Sequence, residues 1–179
     1  MNVVLLAVAV VAVAAVLIHL LRTAGVALWR SRGERVINCP ETQESAAVHL
    51  DAKHAAAAAL RGKQELQLSD CTRWPQRAGC GQECLAQIED APDGCLVTRI
   101  LAAWYEGKAC ALCGREFGRV DWSTNKPAIL DAERRTWEWR ELPAVEIPEI
   151  LRTHQPVCWD CHIIESLIRK HPDRVTDRT

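Results

Sequence analysis

Two short cysteine hooks constrain this chain more than any other feature. Cys110-Ala-Leu-Cys113 is followed at once by Gly114, and Cys158-Trp-Asp-Cys161 by His162. Two thiols three residues apart hold one ion when the backbone turns tightly between them, and a glycine after the second accepts the positive φ of such a turn. The second pair opens an amphipathic stretch, "CHIIESLIRKH", which predicts a helix. A helix N-terminus favours the thiolate form of a nearby cysteine. Cys110, Cys113, Cys158 and Cys161 are therefore the predicted ligands of one tetrahedral zinc ion.

Between the hooks, "AILDAERRTWEWREL" reads as a hairpin, with Ile129 and Leu130 before the turn "DAER" and with Trp137 and Trp139 on one face of the returning strand. "PEILRTH" predicts a short helix. Hook, hairpin and a cysteine pair on a helix start, over residues 108–171, resemble the treble-clef and zinc-ribbon type of four-cysteine zinc domain. The resemblance implies structural zinc and often a binding surface, but no particular reaction.

Cys158 to His162 also spells Cys-x-x-Cys-His, the attachment signature of c-type haem. That chemistry takes place outside the cytoplasm and needs a second axial ligand. Met1 is the only methionine, so His154 or His171 would have to serve. A thioredoxin-like redox pair would need a βαβ context, and neither hook has one.

Compartment is therefore decisive, and the N-terminus addresses it. Val3–Leu21 is apolar except for His19. At about 1.5 Å per residue it reaches roughly 29 Å, the thickness of a bilayer core. No charged residue precedes it and no convincing A-x-A follows, which disfavours a cleaved signal peptide. Lipoprotein processing at Cys39 is disfavoured by the charged stretch before it, and a buried core helix would carry a polar face. Arg22, Arg30, Arg32 and Arg35 follow the run against one acid, Glu34. The positive-inside rule places that side in the cytoplasm and the N-terminus outside. Trp29 stands where an interfacial anchor would sit.

The first half holds Cys39, Cys71, Cys80, Cys84 and Cys95. Cys80 and Cys84 stand at i and i+4, so a helix would put both sulfurs on one face. Cys71 precedes a loop with Pro75 and Gly79, and Cys39 precedes Pro40 at a strand end. Cys39, Cys71, Cys80 and Cys84 are the candidate ligands of a second four-thiolate site, for zinc or for an iron–sulfur cluster. The alternative is that several are small buried hydrophobes, Cys95 foremost. Disulfides would be favoured only outside the cytoplasm, and nine cysteines cannot all pair within one chain. Arg73, Arg77, Arg115 and Arg119 are candidates to offset the negative charge of thiolate centres, or else ordinary solvated surface.

The rest of the first half reads as short elements. "RVINCPE" and "SAAVHLD" predict strands around a turn at Pro40. "DAKHAAAAALRG" predicts a helix capped by Asp51 and stopped at Gly62, and "QELQLSDC" a strand running into Cys71. "CLVTRILAAWYEGK" predicts a helix with Leu96, Ile100, Leu101 and Trp104 on its apolar face and a stop at Gly107. His49 and His54 read as surface residues and Glu89-Asp90 as a solvated helix end. Seven tryptophans against one phenylalanine and one tyrosine give Trp74, Trp104, Trp137 and Trp139 the bulk of a small core.

No phosphate loop, H-E-x-x-H or G-x-S-x-G motif occurs. Four-cysteine sites leave no open position for Lewis-acid catalysis, so the chain reads as a non-enzyme. A net charge of −1 gives no reason to expect nucleic acid. The expected architecture is α+β: a transmembrane anchor over 1–21, a juxtamembrane helix or linker over 22–35, a cysteine-rich subdomain over 36–107, a zinc subdomain over 108–171 and a tail over 172–179. The expected role is scaffolding or assembly of a membrane complex with a protein partner. A membrane-anchored electron carrier and a thiol or metal sensor are the competing functions.

Overall fold

The computed structural model describes residues 2–77, 79–122 and 126–172. All of the expected tail but Pro172 lies outside them. The chain is mixed α and β, beginning with one long helix, α1 (Asn2–Arg30). The helix is long and apolar enough to cross a membrane, with no buried residue. At about 1.5 Å per residue it extends roughly 44 Å, well beyond a bilayer core. Residues 2–22 are exposed, whereas Thr23, Ala24, Ala27 and Leu28 are half-buried.

Of the juxtamembrane helix or linker expected over 22–35, it is the helix that forms, as far as Arg30. "TAGVALW" consists largely of residues compatible with helix, and the chain stays helical to Arg30. It turns at Gly33, which holds φ +93° and would bring an added Cβ to 2.9 Å from Leu96 Cδ1. Glu34 and Arg35 already belong to strand β1 (Glu34–Asn38). The buried Arg35 guanidinium folds back onto the helix end, donating to the carbonyls of Arg30 (2.6 Å), Gly33 (3.1 Å) and Ser31 (3.4 Å). A cation on the last carbonyls satisfies orphan acceptors at the negative end of the helix dipole.

β1 pairs antiparallel with β2 (Ser45–Leu50), and β2 with β3 (Leu68–Cys71), in the order β1-β2-β3. Helix α2 (Ala52–Leu60) connects β2 to β3 and packs against α1. Asp51 caps α2 by accepting from the amides of Lys53 and His54, both at 2.9 Å, and Gly62 follows its end at φ +75°.

This sheet is buried on both faces, because alternate residues enter different cores. Ile37, Ala46 and Val48 pack with Leu50, Leu68 and Ile88, the last from α3 (Leu85–Asp90). Val36 and Ala47, on the other face, pack with Leu101 of α4 (Val97–Tyr105) and with Ala144 and Ile147. Ile147 opens α5 (Ile147–Thr153), beyond the first hook. The stretches expected as separate subdomains over 36–107 and 108–171 thus share a core cluster.

The second sheet has order β5-β4-β6, all antiparallel: β4 (Ala128–Leu130), β5 (Thr136–Glu138) and β6 (Gln155–Val157). The β4–β5 hairpin matches expectation, but Trp137 and Trp139 do not share a strand face. β5 ends at Glu138, because Glu141 accepts from the Glu138 amide at 2.8 Å and turns the chain into a 3-10 turn over Trp139–Glu141. Trp139 swings instead onto Tyr105, where its Nε1 donates to the phenol oxygen at 2.9 Å. Tyr105, fully buried, is the hub of the aromatic packing, with Trp104 at 4.9 Å and Phe117 at 4.8 Å between centroids. Trp74, Trp104, Trp137 and Trp139 are each half-buried. The described chain closes with α6 (Trp159–Lys170).

Candidate metal centre

The first hook lies between α4 and β4. The Cys110 amide donates to the Arg115 carbonyl at 2.8 Å and the Gly114 amide to the Cys110 carbonyl at 2.9 Å. Gly114 holds φ +73°, a conformation L side chains rarely adopt, although an added Cβ would meet open space. The Ala111 amide donates to the Pro156 carbonyl at 2.9 Å, which fastens the hook to β6. One residue after β6, Cys158 sits at the N-cap of α6, and Cys161 falls in its first turn.

These two attachments bring the hooks together. The sulfurs of Cys110, Cys113, Cys158 and Cys161 all lie within 4.8 Å of one another. Cys113 Sγ and Cys158 Sγ are 3.7 Å apart. Zn–S bonds of about 2.3 Å set tetrahedral sulfurs about 3.8 Å apart, so the cluster is of the right size for a metal ion. Cys110 and Cys158 are buried, Cys161 is half-buried and Cys113 is exposed, so one edge faces solvent.

The electrostatics differ from sulfur to sulfur. Burial pushes the Cys110 thiol up, but amide N–H groups of Cys158, Cys113 and Leu112 outweigh it and bring it down to about 7. The Cys158 amide contact is 3.3 Å long. Cys158 and Cys161 are raised, first by burial and, among the other causes, by hydrogen bonding with neighbouring thiols. Four thiols crowded this closely resist ionising together unless a cation joins them. Arg115 answers to this charge in part: Asp160, at 2.6 Å, is its main partner and raises its pKa, with smaller contributions from Cys158 and Cys113. Arg73 and Arg77 pair with Glu44 and Glu41.

His162 is not in the sulfur cluster. Its ring is buried, with Nδ1 at 2.9 Å from Thr136 Oγ1 and Nε2 at 3.9 Å from Glu138. Sequence reasoning missed this link between α6 and β5, for which no motif exists. It bears on the haem reading: a porphyrin bonded through Cys158 and Cys161 would have to displace the other two thiols and pull His162 from its buried place.

The first-half cysteines are arranged more loosely. Cys39 follows β1, Cys71 ends β3, and Cys84 stands immediately before α3. Cys71 and Cys84 are buried members of the first core cluster, against which Cys39 and Cys95 pack. Cys80 and Cys84 do not share a helix face, since α3 begins only at Leu85. Gly79, Gly81 and Gln82, the last at φ +58°, keep the preceding segment out of helical conformation. Among the described residues, the second-half quartet is the group gathered tightly enough to hold an ion as it stands. No disulfide joins any of the nine cysteines. His49 and His54 lie beside Glu34 and Glu65 at the surface. No protein-family model matches the chain, and no characterised protein or solved structure does either.

Proposed function

We propose that this chain is a membrane-anchored zinc protein whose ion, held by Cys110, Cys113, Cys158 and Cys161, is structural, and whose domain docks a partner protein at the cytoplasmic face. The observation that carries the reading is the convergence of four sulfurs from two hooks. Thiolates alone suit zinc, and four of them fill its tetrahedron, so the ion would stabilise the fold rather than activate water. The order of hook, hairpin and helix-borne pair supports a treble-clef-like architecture. The exposed apolar α1 and the arginines after it support an anchor with its N-terminus outside. The docking role draws on α6, where Ile163, Ile164, Leu167 and Ile168 form an exposed apolar row.

Elemental analysis and an absorption spectrum of the full chain, purified in detergent, test the metal. The expected protein is colourless and contains zinc. A haem or iron–sulfur spectrum overturns the reading and makes the chain an electron carrier. Sidedness is tested by protease added to intact cells, which should leave the domain whole. The exposed edge at Cys113 favours a second reading, a thiol- or metal-responsive centre. That reading predicts reversible metal loss coupled to a change in partner binding.

A further inference from the structure

The turn that carries Cys110 occurs a second time in the chain, at Cys39. The Cys39 amide donates to the Glu44 carbonyl at 2.8 Å, and the Gln43 amide to the Cys39 carbonyl at 2.8 Å. The Cys110 turn has the same two bonds, between the same relative positions, at 2.8 and 2.9 Å. The fifth residue is left-handed in both, Gln43 at φ +56° and Gly114 at φ +73°. A glutamine there is strained, so the shape of the turn is maintained against local preference. At Cys39 the Thr42 hydroxyl and the amides of Thr42 and Glu41 bond the sulfur and lower its pKa. At Cys110 the amides two and three residues on do the same. Thr42 occupies the position that Cys113 holds in the later turn, so the earlier hook has one thiol instead of two.

Three more thiols lie near it, more loosely than in the later cluster. Gln87 clamps Asn38, accepting from its amide at 3.1 Å and donating to its carbonyl at 2.6 Å. That holds α3 beside the Cys39 turn, with the buried Cys84 one turn earlier. Cys71 ends the strand two places across the sheet, and its sulfur accepts from the Arg73 amide at 3.5 Å. Arg73 reaches the Thr42 hydroxyl at 3.2 Å and pairs with Glu44, while Arg77 pairs with Glu41 at 3.5 Å. The segment after Cys71 is thereby pinned over the hook. Cys80 follows, its amide donating to the Arg77 carbonyl at 3.2 Å. Burial first, and then Cys71, Cys80 and Cys39, push the Cys84 thiol up to about 11.

We propose that Cys39, Cys71, Cys80 and Cys84 form a second four-thiolate site for a divalent thiophilic cation, zinc by the same donor chemistry. Cysteines serving only as small hydrophobes would not need a strained turn aiming amides at a half-exposed sulfur. Cys80 stands between Gly79 and Gly81, whose permissive backbones allow the adjustment that would bring the sulfurs to bonding distance. Coordination sends the thiol protons to solvent and leaves a dianionic centre on the segment that carries Arg73 and Arg77. The proposal does not depend on the second-half centre.

The test uses the full chain in detergent, with zinc as the probe. Zinc is counted per chain, and each cysteine is scored by alkylation and mass spectrometry before and after a chelator. Two equivalents, with Cys39, Cys71, Cys80 and Cys84 protected until chelation, are expected. A Cys71→Ser and Cys84→Ser double variant should lose one equivalent and leave the Cys110 group protected. One equivalent, with Cys39 and Cys80 alkylated in the metal-loaded protein, overturns the proposal. One equivalent with only the first-half group protected supports it and overturns the second-half centre instead. An iron–sulfur spectrum that disappears in the double variant overturns the single-ion site. The alkylation map of the unaltered chain decides the matter even if the double variant does not fold.

Discussion

The amide of Cys158 donates to the sulfur of Cys110 at 3.3 Å, so one hook's backbone already stabilises the other hook's thiolate. Cys110 is thus both a candidate ligand and the acceptor that seats the start of α6. Cys110→Ser should weaken zinc binding by more than the roughly 10–100-fold expected for losing an outer partner. Cys113→Ser, at the exposed edge, should cost less. Competition against a chromophoric chelator measures both, and the reverse ranking would count against the assigned geometry.

Zinc affinity should rise with pH. Cys110 releases its proton at about 7, whereas Cys158 and Cys161 hold theirs above the ordinary thiol value of 9.0. Metal must displace those protons, so binding weakens as pH falls, most steeply below about 7, where Cys110 is protonated too. Calorimetry in buffers of different ionisation enthalpy counts the protons released, which should increase as pH falls through that value.

Asp131 should stabilise the β4–β5 hairpin in a pH-dependent way. Burial pushes its carboxyl up, but Trp137 Nε1 at 2.9 Å, the Arg135 amide at 2.7 Å and the Arg135 guanidinium at 3.0 Å outweigh it and hold the pKa below 3.8. A depressed carboxyl pKa contributes stability that is present above the unfolded value and lost as pH falls through the folded one. Asp131→Ala should cost about 1–3 kcal/mol at neutral pH. Denaturant melts should show the difference from wild type shrinking below pH 3.8.

Tyr105→Phe removes a hydroxyl that donates to the Ala128 carbonyl at 2.5 Å and accepts from Trp139. The fully buried Ala128 carbonyl and the half-buried Trp139 indole each lose a bond, at a cost of about 1–3 kcal/mol. Thermal unfolding of the metal-loaded protein measures it, and an unchanged midpoint would refute the hub role of this tyrosine.

Arg35 should resist replacement by lysine. Its fork reaches several carbonyls at the end of α1, which a single ammonium on a flexible stem does not span equally well. Arg35→Lys should destabilise by roughly 1.5–3 kcal/mol and loosen the joint between α1 and the domain. Hydrogen exchange at residues 28–36 reads the loosening.

Much of the centre was legible because its information is local. Cys110-x-x-Cys113-Gly114 specifies a turn within five residues, and Cys158-x-x-Cys161 a pair on a helix start. The Asp51 cap and the Gly62 and Gly107 stops were legible for the same reason, each acting on the turn beside it. Trp139 was misplaced because Glu141, from beyond the strand, captured its neighbour's amide. The return of Arg35 onto the end of α1 was not legible, because that residue carries no local sign of it.

By itself the amino-acid order determined the apolar helix, the short elements and which thiols come in pairs, since each depends on neighbours a few residues away. The paired spacing pointed to the two hooks meeting, but only tertiary structure decided the contacts by which they do, Ala111 on Pro156 and Cys158 on Cys110. It also decided that the first sheet is covered from both halves of the chain, and that the Cys39 turn repeats the Cys110 turn without a second cysteine. Those outcomes join residues distant in sequence, and such contacts are chosen by burial and hydrogen-bond satisfaction across the whole molecule, which no local pattern records.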